Sequence, residues 1–142
     1  MTLRRLDDMA AVGMKDGDKW LDPSFLRRAH NTAVVAAQAG GHAAMLAWQQ
    51  SLERDDKGPR DLVTSGDLAA EAAIVKCLRA AFPEHGIVSE EGDDRQAHSQ
   101  FRWVIDPIDG TTNYYRRLPL FSSSVALVSG TDLLAGAVCD PV

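Results

Sequence analysis

Only two cysteines, Cys77 and Cys139, occur in the 142 residues. They are too few and too far apart for a disulfide framework or a zinc site. No stretch approaches the roughly 18 continuous apolar residues of a membrane-spanning helix. Basic residues are in the minority, 15 against 20 acidic ones, giving a formal net charge of −5. Nucleic acid and anionic membrane both want a basic face, so neither is expected as a partner. A phosphorylated substrate is not excluded, because a bound cation reverses the local field. The opening "MTLRRLDDMAAVGMKDGDKW" has no apolar signal-peptide core, and its four acids count against a transit peptide. A cytoplasmic chain is therefore expected. The four histidines show no ligand spacing, and no internal repeat is present.

What is there is ordinary globular material, 45% apolar and 25% charged. A chain of this length buries roughly 68–70% of its unfolded surface, enough for one core. Residues 1–21 read as a flexible extension, and 22–142 as one domain. Asp22-Pro23 predicts a helix start, with Asp as N-cap and Pro at the first helical position. That Ala-rich helix should run to about Leu52. Gly40-Gly41 inside it costs roughly 1 kcal/mol per glycine relative to alanine, which implies close packing against another backbone or a kink.

The stretch 53–61 reads as a polar loop and "LVT" as a short extended piece. Thr64-Ser65-Gly66-Asp67 matches a capping box. Leu68, Ala72, Val75, Leu78 and Phe82 then fall on one helical face, ended by Pro83. Cys77 on this helix is expected as a small core residue. "GIVSEEG" (86–92) is a short apolar run ending in two glutamates, and "WVID", "FSSSVALVSG" and "DLLAGAVCD" read as strands, the last two joined by a turn near Gly130-Thr131-Asp132. Two long helices followed by strands predict an α+β fold, the helices packed on a mainly antiparallel sheet.

The chemistry gathers in "WVIDPIDGTTN" (103–113). Asp106 and Asp109 lie three apart, with Pro107 imposing a turn that exposes the carbonyl of Ile108. Two carboxylates and a carbonyl are an all-oxygen ligand set, suited to Mg²⁺ rather than Zn²⁺. Gly110, Thr111 and Thr112 add backbone N–H groups at a helix start, where anions bind. Taken alone, the same residues also suit a solvated turn. Glu90-Glu91 ends another short apolar run, and Asp67 opens a helix. Acids so placed would converge at one sheet edge, where like charges repel unless a cation neutralises them.

"DLVTSGD" (61–67), "FPEHGIVSEEG" (82–92), "WVIDPIDGTTN" (103–113) and "AGAVCDP" (135–141) resemble, in order and spacing, the blocks of the inositol monophosphatase family. The resemblance covers about residue 22 to the end, and the third block is the family's signature. It implies a lithium-sensitive, Mg²⁺-dependent phosphomonoesterase and the first half of a layered αβαβα fold. It implies that Glu90, Asp106 and the Ile108 carbonyl hold one metal. Asp106 would bridge to a second metal, also bound by Asp109. Thr111 and Asp67 would orient the attacking water, and Glu91 would belong to the outer shell of a further metal. Gly110 and Thr111 would donate backbone N–H groups to the phosphate. The expected substrate is a small phosphate monoester, with myo-inositol monophosphate foremost and another sugar, polyol or nucleotide phosphate as the alternative, and the full-length parent is expected to be a homodimer.

The resemblance also carries departures. The family often has a lysine before the "DLVT" block; Lys57 is close, but the loop is one residue shorter. Val142 falls where family members are about halfway through, and a further aspartate completing the second metal site would lie beyond it. Asp132 and Asp140 stand in the wrong context to replace it. A rival activity, that of haloacid-dehalogenase-type phosphatases with their D-x-D-G-T loop, fails on the D-x-x-D-G-T spacing. A second rival is a non-catalytic metal-binding or regulatory remnant of the family. Arg116-Arg117 reads as a solvated basic pair that could otherwise touch an anionic substrate, and Trp20, Trp48 and Trp103 read as packing residues.

Overall fold

The computed structural model describes residues 22–50, 54–56, 62–89, 92–93 and 99–142. The expected N-terminal extension, Lys57, Glu90 and Glu91 lie outside them. The first helix, α1, runs Pro23–Gln49 with Asp22 as N-cap, its carboxylate accepting from the Ser24 N–H at 3.1 Å. It ends at Gln50, whose extended backbone stops it short of the expected Leu52. One face is a seam of small residues, Ala29, Ala33, Ala36, Ala37, Gly40, Gly41 and Ala44, all buried. This seam lets the second helix, α2 (Ser65–Ala81), approach closely.

The glycine pair does mark close packing, but against side chains rather than backbone. A Cβ on Gly40 would lie 2.6 Å from Ser123 Oγ and 2.7 Å from Ile74 Cδ1, and one on Gly41 would lie 3.1 Å from Cys139 Sγ. The buried face of α2 overlaps the expected one in part, with Leu78 and Phe82 in the core and Val75 packed against it. Gly66, Ala70, Ile74 and Leu78 are buried, whereas Leu68 is 59% exposed. The Ile74 side chain fills the space that Gly40 of α1 leaves open. Cys77 is partly buried against the core, as expected. No helix among the described residues is long and apolar enough to cross a membrane.

The strands are β1 (Arg54–Asp56), β2 (Leu62–Thr64), β3 (Gly86–Ser89), β4 (Gly92–Asp93), β5 (Phe101–Asp109), β6 (Ser122–Ser129) and β7 (Asp132–Cys139). Part of the expected polar loop 53–61 is thus a strand, because Arg54–Asp56 pairs antiparallel with Leu62–Thr64. The main sheet has the order β4-β3-β5-β6-β7, with β3 and β5 parallel and the other pairs antiparallel. Both helices cover one face of it through Trp103, Ile105, Val125 and Leu127, each at most 3% exposed. The β6–β7 hairpin turns at Gly130, whose φ of 58° suits glycine. The fold is the expected α+β arrangement.

At one end of this core His85 is only 7% exposed, stacked on Phe82 at 4.6 Å and tilted against Phe101 at 5.1 Å. Its Nδ1 has no hydrogen-bond partner among the described residues. Arg79 donates to its carbonyl at 2.8 Å, and the Arg28 guanidinium lies over Phe82 at 4.3 Å. Burial, and then the charge of Arg28, hold the imidazole below its ordinary 6.5. The unfolded chain therefore takes up this proton first. The contribution of His85 is complete above 6.5 and is lost as pH falls through the depressed folded value. Urea midpoints measured between about pH 7.5 and pH 5.5 should fall for the wild type and less steeply for His85→Phe. Equal slopes would refute this role.

Candidate active site

In a regular strand, residues three apart face opposite sides of the sheet. Asp106 and Asp109 escape this because β5 carries one residue too many. Asp106 pairs with Ser124 and Asp109 with Ser122, so three steps along β5 match two along β6. Pro107 and Ile108 occupy this β-bulge, and a proline is tolerated there because a bulge leaves an N–H unpaired. Ser122 and Ser124 share a face, and directly paired residues project to the same side. The two aspartates therefore stand on one face. The strand does not end at Asp106 in a simple turn, as expected, but continues through the bulge to Asp109.

Two devices fix the segment that follows. Gly110, at φ 92°, takes the left-handed conformation that ends β5 and caps α3 (Thr111–Tyr115). A Cβ there would lie 3.0 Å from the Leu120 carbonyl, so glycine is required both for φ and for space. The Thr111 hydroxyl donates to the Ile108 carbonyl at 3.0 Å. Its proton being committed, that hydroxyl offers only lone pairs to anything else, while the carbonyl keeps a second lone pair. The Ile108 side chain, 2% exposed, is buried with Ala44, Ala70, Tyr114 and Phe121 in a second, smaller core beneath the site.

Tyr114 is the residue that sequence reasoning missed. Fully buried, it donates from its hydroxyl to the Ala44 carbonyl of α1 at 2.7 Å. Its ring fills the space beside Gly66 in the first turn of α2, where a Cβ would lie 2.7 Å from Cζ and would collide with the hydroxyl. One side chain thus pins α3 to both long helices. Burial, then the charge of half-buried Asp67, pushes its pKa up to about 12, with Arg117 acting in the opposite sense. The Asp67 charge acts on Tyr114, which places it beside the short helix that begins with Thr111. Nothing local in "TTNYY" signals this, because both partners of Tyr114 are remote in sequence.

The basic pair behaves differently from an anion site. Arg117 donates to the Gln50 carbonyl at 2.9 Å and lies 5.8 Å over the Trp48 ring, with φ at 62°. One nitrogen of its guanidinium thus ties the end of α1 to the loop. Trp48 donates to the Tyr114 carbonyl at 3.0 Å, and Trp103 is fully buried, so both are packing residues.

Asp67, Asp106, Ile108, Asp109, Gly110 and Thr111 are thus carried on elements that the Tyr114 latch and the β5 bulge tie together. The expected third carboxylate, Glu90, lies outside the described residues. Among those that are described, no three His, Cys, Asp or Glu side chains form a metal-holding group. The flanking strand β3 runs parallel to β5, with Val88 opposite Val104, so both strands lead toward the same end of the sheet. The donors that are described, two carboxylates on one face and a carbonyl, fit a hard cation.

The class of domain is thus an α+β layer, two long helices on a mixed sheet, with a glycine-capped short helix after the bulged strand. The family model for the inositol monophosphatase family matches residues 26–142, and the chain belongs to that family. It is 40% identical over 116 residues to the Nus factor SuhB of Escherichia coli K12, covering 79% of this chain and 43% of the relative. It is 36% identical over 118 residues to a fructose-1,6-bisphosphatase/inositol-1-monophosphatase of Aquifex aeolicus, covering 82% and 45%. The crystal structure of extragenic suppressor protein suhB from Bartonella henselae superposes with a TM-score of 0.74 at 35% identity, covering 78% of this chain and 44% of that one. The chain thus spans less than half the length of these relatives.

The Gly66–Tyr114 fit has a measurable consequence. Tyr114→Phe should cost about 0.5–1.5 kcal/mol by removing the buried hydrogen bond to the Ala44 carbonyl. Gly66→Ala should cost more, because the ring cannot retreat. Chemical denaturation of the double variant should show a smaller loss than the sum of the two, since removing the hydroxyl relieves the closest clash. Strict additivity would show that the two positions do not meet.

Proposed function

We propose that the chain carries the cation- and phosphate-binding part of a Mg²⁺-dependent phosphomonoesterase. Its proposed substrate is a small phosphate monoester, foremost myo-inositol monophosphate, hydrolysed to inositol and phosphate by water. The observation that carries this reading is the bulge that sets Asp106 and Asp109 on one face beside the Ile108 carbonyl. Family membership supports it, as does the relative named for inositol-1-monophosphatase activity.

In this reading Asp106, Asp109, the Ile108 carbonyl and Glu90 would hold Mg²⁺. A bound Mg²⁺ supplies Lewis-acid polarisation of the phosphate and lowers the cost of deprotonating water. The chain's own residues do the rest. The Thr111 hydroxyl, already donating to the Ile108 carbonyl, accepts a hydrogen bond from the incoming water and so fixes its orientation. The Asp67 carboxylate accepts a hydrogen bond from the other O–H of that water and completes its orientation. Backbone N–H groups of Gly110 and Thr111 receive the phosphate oxygens, and Glu91 supports the acidic cluster from further out.

A second reading is favoured by one observation: the 40% identical relative of E. coli is named a Nus factor. The family scaffold would then serve as a binding or regulatory module, with cation binding kept and turnover lost. Calorimetric titration of Mg²⁺, followed by phosphate release from myo-inositol monophosphate, separates the two. Binding should weaken at least about tenfold in Asp106→Asn and in Glu90→Gln. Binding with phosphate release supports the phosphatase, and binding without release supports the module. Unchanged affinity in both variants would sink the site assignment.

A further inference from the structure

Three consecutive serines, Ser122-Ser123-Ser124, open β6, an interior strand between β5 and β7, where β-branched residues would ordinarily be favoured. Ser123 has a steric reason. It is 1% exposed, and its Oγ would lie 2.6 Å from a Cβ on Gly40, so a larger side chain has no room. Ser122 and Ser124 lie on the other face and are half-buried. No hydrogen bond of either hydroxyl is found among the described residues. Each is the register partner of one acid, Ser124 of Asp106 and Ser122 of Asp109.

Directly paired Cβ atoms in an antiparallel ladder lie about 4.5–5.5 Å apart, within reach of a hydroxyl–carboxylate hydrogen bond after a single rotamer change. We infer that Ser122 and Ser124 are positioning residues that hold the carboxylates of Asp109 and Asp106 in the orientation a cation requires. This inference rests on the cation-binding reading above. Two carboxylates on one face repel each other and would splay apart. A hydroxyl facing each carboxylate donates to one oxygen and leaves the other directed outward. Outer partners of this kind set ligand orientation at metal sites generally.

The rival explanation, that these serines only fill the strand, makes the opposite prediction for a β-branched pair. Threonine and valine have nearly the same shape, and only threonine keeps the hydroxyl. Wild type, Ser124→Thr, Ser124→Val, Ser124→Ala and Ser122→Val are titrated with Mg²⁺ by calorimetry and melted without it. Ser124→Thr should bind within about threefold of wild type, and Ser124→Val and Ser124→Ala about 10–100-fold more weakly. Ser122→Val should lose less, since Asp109 is exposed. Melting in the absence of Mg²⁺ should not follow that order. Valine or alanine at 124 binding as tightly as threonine would overturn the inference while leaving the cation site standing. Wild type showing no Mg²⁺ uptake that depends on Asp106 would overturn the cation reading, and this inference with it.

Discussion

One surplus residue in β5 is the constraint on which the candidate site depends. Without it, Asp106 and Asp109 would face opposite sides of the sheet and could not serve one ligand. With it, the face alternation is reset between them. The bulge does not stand by its own chemistry. Its Ile108 side chain is held in an apolar pocket, and its Ile108 carbonyl is held by the Thr111 hydroxyl. The polar end of the strand keeps its shape because an apolar anchor one atom group away cannot move.

The molecule divides its work between two cores. The larger, around Trp103, Ile74 and Leu127, binds helices to sheet and carries no chemistry. The smaller, around Tyr114, lies under the candidate site and transmits rigidity to it. The net gain from a hydrogen bond such as Tyr114 to Ala44 is only about 1 kcal/mol. The value of that bond is positional, since it locks three helices in one relation.

Much of this was legible in the sequence. Asp22-Pro23 marked the start of α1, and the Gly130 turn marked the last hairpin, because both signals are local and depend on backbone preference. Membership of the family was legible in four spaced blocks. The buried face of α2 was read in part: Leu78 and Phe82 are in the core and Val75 packs against it, but Leu68 is exposed and Gly66, Ala70 and Ile74 are buried instead. The bulge was read as a turn, since Pro-Ile between two acids looks the same in either case until the partner strand is known. The Tyr114 latch was invisible, because its partners lie 70 residues away at Ala44 and in another helix at Gly66. Long-range fit is a property of assembled elements, and no local pattern encodes it.

Gly40, Ile74 and Ser123 come from three different elements and meet at one point with no spare volume. Their sizes are therefore a shared quantity. Over evolutionary drift, a methyl gained at any of the three is tolerated only where another gives up comparable bulk. Substitutions there should travel as compensated pairs, and in an alignment of close relatives the three positions should read as a covarying set although two of them carry no chemistry of interest and none is near another in sequence.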